Sequence, residues 1–235
     1  MKISLFFCTR GRVEMLKQCL DSIVETADNI KDIELSVGID NDDTETIEFF
    51  KTFDKIKTVV TMGEPKPLNF IKFCTEVCDK ATGDIFMPLN DDIVFMSKHW
   101  DTIIKTEFDK YQDKIIMVFP NDSHYGNKHS SFPILHKNWI ETIGYFFAPY
   151  FNYWYPDTWL YEVAGLIGRR VYLQNFIIEH KHNDYGKRKA DETDSLRNNR
   201  IPLDVETWKE TVELRKTDAK KLKKYIDSYK HRSCT

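Results

Sequence analysis

From residue 2 to residue 120 the chain switches repeatedly between two hydrophobic periods, and nothing else narrows its fold as much. KISLFFCT (2–9), IELSVGID (33–40), KTVVTM (57–62), DIFMPL (84–89) and KIIMVFP (114–120) are short, apolar and β-rich. Between them, VEMLKQCLDSIVETA (13–27), TIEFFKTF (46–53), NFIKFCTEVCDKATG (69–83) and HWDTIIKTEFDKY (99–111) carry apolar residues at helical spacing, as in Leu16, Leu20, Ile23 and Ala27. Asn69 is a candidate N-cap and Gly83 a candidate helix end. Strands alternating with helices predict an α/β fold, a mostly parallel sheet covered on both faces. The strand ends share a chemistry. The first run ends in Thr9-Arg10-Gly11-Arg12, the second in Asp40-Asn41-Asp42-Asp43, and the fourth in Asn90-Asp91-Asp92. In such a sheet ligands bind outside the carboxyl ends of the strands, so these clusters converge on one crevice.

The composition sets outer limits. A chain of 235 residues, 41% hydrophobic and 30% charged, holds enough apolar surface for one large domain with a tail. A net charge of −3 argues against a whole-protein nucleic-acid binder. No stretch approaches the roughly 18 apolar residues of a membrane span, and the N-terminus has no signal-peptide pattern. Five cysteines (Cys8, Cys19, Cys74, Cys78, Cys234), an odd number without a CxxC pair, read as free thiols in a reducing, cytoplasmic setting.

Residues 121–156 are rich in aromatics, Asn and His and read as an insertion shaping a second pocket. DTWLYEVAGLIG (157–168) reads as a short helix and RRVYLQNFIIEHKH (169–182) as a last strand ending in two histidines. NDYGKRKADETDSLRNNR (183–200) reads as a mobile polar loop. From Asp204 a helical seam follows through Val205, Trp208, Val212, Ala219, Leu222, Ile226 and Tyr229, broken by Arg215. Residues 215–232 carry eight Lys/Arg against two Asp/Glu, so charge is segregated along the chain. The domain expectation is 1–200, with halves 1–120 and 121–200, followed by a basic helical tail at 201–235. Packing on the chain's own domain is the favoured role for that tail. Docking on an anionic membrane surface and pairing with a second chain are the others.

Two adjacent carboxylates between apolar runs are costly unless they have partners. Asp92 could hold a hard divalent cation, Mg²⁺ or Mn²⁺, which takes one or two carboxylates and fills its shell with water and phosphate oxygens. Arg10 and Arg12 offer the bidentate geometry a diphosphate needs. Against this stand plainer roles: Asp40, Asp42 and Asp43 as helix caps, the arginines as a solvated turn, and Asp157 as an N-cap.

ISLFFCTRGRVEMLKQCLDSI, VGIDNDDTET and the NDD at 90–92 resemble the GT-A glycosyltransferases near family 2, with the NDD at the place of the DxD motif. FPILHKNWIETIGYFFAPYFNYWYPDTWLYEVAGLIG and IIEHKHNDYGKRKADET are similar to the acceptor-side half of such enzymes, so the likeness spans roughly residues 1–195. The resemblance implies a GT-A-like (Rossmann-like) fold. It also implies an inverting, metal-dependent transfer of a sugar, hexosyl or pentosyl, from a nucleotide diphosphate donor to a hydroxyl on a glycan or glycoconjugate. On it, Thr9, Arg10, Arg12, Asp40, Asn90 and Asp91 line the nucleotide-sugar pocket, with Lys187 and Arg188 on a loop closing over the diphosphate. Asp92 binds the metal, completed by His180 or His182. Asp157 is the base, although Pro156 stands where the family carries a Glu, and Glu162 is the fallback. Trp154, Tyr155 and Trp159 would suit sugar stacking. A nucleotidyltransferase ranks low because FCTRGR has a single Gly. The rival from another class is a catalytically silent carbohydrate- or nucleotide-binding module.

Overall fold

Strand β1 (Ile3–Thr9) sends Ile3, Leu5 and Phe7 into one hydrophobic core and Phe6 into another. This is the period of two expected of a central strand buried on both faces. The computed structural model describes residues 1–198 and 201–232 and builds the rest of the sheet around that strand. β2 (Ile33–Asp40) and β3 (Lys57–Gly63) extend it on one side. On the other lie β4 (Ile85–Pro88), β5 (Ile93–Phe95), β6 (Met117–Asn121), β7 (Ile134–His136) and β8 (Arg170–His180). The eight strands run in the order β3-β2-β1-β4-β7-β6-β8-β5. The first four in that order are mutually parallel, and β6 is parallel to β8. β7 enters antiparallel between β4 and β6, and β5 returns antiparallel on β8. β5 and β7 are three residues each, too short for their periodicity to register in the sequence.

Helices cover both faces. α1 (Val13–Thr26), α2 (Thr44–Thr52) and α4 (Trp100–Asp109) pack on the core containing Ile3 and Leu5. The opposite core takes α3 (Phe70–Cys78), α5 (Lys137–Ile143) and α6 (Pro156–Leu166). Phe73 of α3 lies so close to the sheet that a Cβ on Gly63 would stand 2.4 Å from its ring, so only glycine fits there. Asn69 caps α3 by accepting from the Lys72 N–H at 2.8 Å, as the sequence predicts.

Two expectations change. The segment at 183–200 is not simply a loop: α7 (Glu192–Asn198) forms there, and its Asp194 is buried against arginines. Hydrophobic periodicity misses α7 because charge pairing holds it. The tail forms α8 (Ile201–Glu210) and α9 (Val212–Arg232), and Ala219, Leu222 and Ile226 of α9 enter the second core. Arg215 does not break the seam. At 3% exposure it is buried, donates from Nε to Glu162 at 2.9 Å, and lies over the Trp208 ring at 3.8 Å. Glu162, the fallback base, is thereby tied to the tail. Among the described residues no helix is long and apolar enough to cross a membrane. Cys8, Cys19, Cys74 and Cys78 are free thiols, and Cys234 lies outside the described residues.

Candidate active site

The polar ends of β1, β2 and β4 meet, as parallel topology requires, in a cleft of about 780 Å³. Gly11, at φ +63°, turns the chain from β1 into α1 and donates its N–H to Asp43 at 2.8 Å. The acidic end of β2 divides its labour. Asp43 caps α2 through the Thr46 N–H and hydroxyl. Asp42 pairs with Arg10. Asp40 faces the cleft and accepts, on Oδ2 alone, from Arg10 at 3.1 Å and the Lys66 backbone N–H at 2.8 Å. No hydrogen bond among the described residues engages its Oδ1.

The two adjacent carboxylates separate just as sharply. Asp91 accepts from the Thr9 hydroxyl at 2.8 Å and Arg12 at 3.0 Å, so both oxygens are occupied. Burial raises its carboxyl above the usual range, with Arg12 opposing and the Asp92 charge adding. Asp92, 3% exposed, goes the other way. Burial alone would raise it, but His180 and the charges of Arg12 and Arg188 hold it well below the usual carboxylate range. Arg188 donates to Oδ2 at 3.2 Å. Oδ1 is buried without a hydrogen bond and stands 3.3 Å from His180 Nε2, which Asn90 also approaches at 3.4 Å.

An oxygen and an imidazole nitrogen facing one another at 3.3 Å are spaced like two neighbouring ligands of one divalent ion. Asp92 and His180 are therefore the residues that could hold such a cation. Of the two histidines, His180 is the one that faces Asp92. His182 lines the cleft, but its Nδ1 accepts from the Asp184 N–H at 3.2 Å, and no group of three acidic, His or Cys ligands occurs among the described residues. Lys187 is not among the residues lining this cleft and pairs with Glu179 at 3.4 Å.

A web of charge closes this end. Arg12 binds Asp191 through two bonds of 2.8 Å, and Arg188 reaches Asp194 at 2.6 and 2.8 Å. Asp194 is pulled down to about 2: burial resists, and Arg188 with the Asp191 N–H outweighs it. Asp191 and Asp194 went unread in the sequence, being two acids in a polar stretch with no local mark of their partners.

The insertion at 121–156 contributes to this cleft. Tyr125, His129 and the run from Tyr153 to Thr158 wall the same cleft. Asp157 opens α6 and lies 3.0 Å from His129 Nε2, a partner the sequence did not reveal. Burial lowers the His129 imidazole, but Asp157 wins and its pKa is raised. Tyr155, just before, holds φ +75°, which for a tyrosine costs on the order of 1 kcal/mol or more. Its ring stacks on Trp208 of α8 at 5.1 Å. Asp204, also on α8 and fully buried, accepts from the N–H groups of Asn152, Tyr153 and Trp154 at 2.7–2.8 Å. The tail thus braces this wall of the cleft. Of the aromatics proposed for sugar stacking, Trp154 and Tyr155 line the cleft, whereas Trp159 is core.

No protein-family model and no curated protein matches the chain. Solved structures do. Residues 1–349 of S. aureus TarS in complex with UDP-GlcNAc superpose with a TM-score of 0.61 at 14% identity, covering 83% of this chain and 61% of that one. The mannosyltransferase PcManGT from Pyrobaculum calidifontis, in complex with GDP-Man and Mn²⁺, gives 0.59 at 13%, covering 76% and 56%. The chain has the GT-A-like fold of these glycosyltransferases. It spans about 60% of the length of each, so the likeness is one of architecture.

Proposed function

We propose that the chain is a glycosyltransferase that takes a sugar from a nucleotide diphosphate donor and gives it to a hydroxyl of a glycan or glycoconjugate. The observation that carries this reading is the pairing of Asp92 Oδ1 with His180 Nε2 in the cleft that Arg10, Arg12 and Arg188 also line. Buried acceptors next to guanidinium groups suit a diphosphate bridged by a cation. The free Oδ1 of Asp40 suits a base or ribose donor group. Arg10, Arg12 and Arg188, held at the cleft by their carboxylate partners, offer the fork geometry that orients phosphate oxygens. Thr9 and Asp91 hold Arg12 in place. A divalent ion, Mn²⁺ or Mg²⁺, held by Asp92 and His180, would neutralise the departing diphosphate. Asp157 belongs to the acid–base centre that receives the acceptor's proton, as an inverting transfer needs. UDP and GDP sugars are the donors to try first, because the TarS and PcManGT complexes contain UDP-GlcNAc and GDP-Man.

The test is titration calorimetry of UDP and GDP with and without Mn²⁺, followed by a donor-hydrolysis and transfer screen. Metal-enhanced nucleotide binding with turnover supports the reading. Binding without turnover of any donor favours a silent binding module, and absence of binding refutes both.

A further inference from the structure

Resting on the transferase reading, we propose that His129, not Asp157, takes the proton from the acceptor hydroxyl, with Asp157 as the residue that positions it. Both oxygens of Asp157 are already engaged. Oδ1 accepts from the Thr158 N–H at 2.7 Å and the Thr158 hydroxyl at 3.2 Å, and Oδ2 faces His129 Nε2 at 3.0 Å. These contacts tie the carboxylate to its own helix on one side and to the imidazole on the other. The imidazole is in the opposite condition. Its Nε2 is spent on Asp157, which fixes the proton there and leaves the lone pair on Nδ1. No hydrogen bond among the described residues engages Nδ1, and His129 lines the cleft shared with Asp92, Arg12 and Arg188.

The surroundings hold the ring without competing for that nitrogen. Tyr125 meets the imidazole edge-on at 5.1 Å and Tyr161 at 5.8 Å. The Tyr161 hydroxyl is turned away, donating to the Asn127 carbonyl. The charged groups facing His129 are Asp157 from α6 and Asp122 from the end of β6, both acidic. Arg170 lies on the Tyr161 ring at 3.7 Å and donates to the Tyr161 carbonyl, a layer out. Two carboxylates near one imidazole favour the imidazolium that the reaction would form.

The step balances without any redox partner. The acceptor oxygen forms a bond to the anomeric carbon. The bond from that carbon to the diphosphate oxygen breaks, and its electron pair leaves with the nucleotide diphosphate. The acceptor's proton passes to Nδ1 of neutral His129, while Nε2–H remains on Asp157 and stabilises the cation.

The sign of the pH dependence separates the two assignments. A histidine base works when neutral, so kcat/KM should rise with pH through an inflection displaced upward from that of a free imidazole, because Asp157 favours the protonated ring. A carboxylate base would show no histidine inflection in that profile. Using the full chain and whichever donor the screen identifies, His129→Ala should lose at least about a hundredfold in kcat. Its nucleotide diphosphate affinity should stay unchanged, and added imidazole should restore part of the rate. Asp157→Asn should also lose activity and move the inflection down. A readout independent of turnover is the ¹⁵N-detected titration of His129 by NMR, whose pKa should fall in Asp157→Asn. A rate constant flat from pH 5.5 to 8.5 in the wild type, or a fully active His129→Ala, overturns the assignment while leaving the transferase reading intact. A wild-type chain that binds nucleotide diphosphates but turns over no donor overturns both.

Discussion

Asp204→Ala tests whether the tail is part of the site or an appendage. In the native chain one buried carboxylate accepts from three consecutive backbone N–H groups, at 2.8, 2.8 and 2.7 Å, and from the Asn152 side-chain amide at 3.2 Å. Alanine removes every one of these acceptors. The donors are part-buried, so water can satisfy some of them, and about 1 kcal/mol for each backbone group is a fair figure, or about 3 kcal/mol in all. For a chain of this size that corresponds to a fall in melting temperature of about 6–12 °C. Asp204→Asn should lie between. Its carbonyl oxygen can keep the Tyr153 and Trp154 bonds, but its NH₂ then faces the Asn152 N–H, donor against donor. The residues released run straight into Tyr155 and Asp157, so the acceptor KM should rise while nucleotide diphosphate affinity holds. The assays are thermal and urea unfolding, then acceptor saturation kinetics. A melting temperature within about 1 °C of wild type, with unaltered acceptor kinetics, would refute the argument that α8 braces the cleft.

Asp92→Asn keeps the shape of the side chain but loses the proposed cation ligand and the charge facing Arg188; Mn²⁺ should no longer strengthen nucleotide binding in calorimetry, and transfer should fall at least about a hundredfold, the rate equivalent of about 3 kcal/mol. Lys187→Ala should change nucleotide affinity by less than about threefold, because its pairing with Glu179 is a surface ion pair; a larger loss would return Lys187 to the site. His136 is buried at the start of α5, and burial lowers its pKa from 6.5 to about 4. The folded state therefore prefers the neutral ring, so the stability it contributes is complete above pH 6.5 and is lost as pH falls towards 4, by about 3 kcal/mol at most. His136→Asn keeps an N-cap acceptor without titrating, and should flatten that part of the urea stability profile; an unchanged slope between pH 6.5 and 4.5 would contradict the assignment.

What the sequence determined by itself was the part of the fold governed by local period. Alternating apolar runs set the order of the first strands and helices, and parallel connection then forced Thr9, Arg10, Asp40 and Asp92 to one end. Tertiary structure decided the rest, because the chemistry of a charged side chain depends on what folds against it. Asp91 and Asp92 are neighbours of identical type, and nothing in the sequence could say that one would be held by Thr9 and Arg12 and the other left facing His180. Arg215 looked like a flaw in a hydrophobic seam until Glu162 and Trp208 arrived to bury it. Arg12 finds Asp191 across 179 residues, and His129 finds Asp157 across 28. Such pairs have no periodicity to read. Their cost of burial is met only by partners brought close when the sheet and its helices close around the cleft.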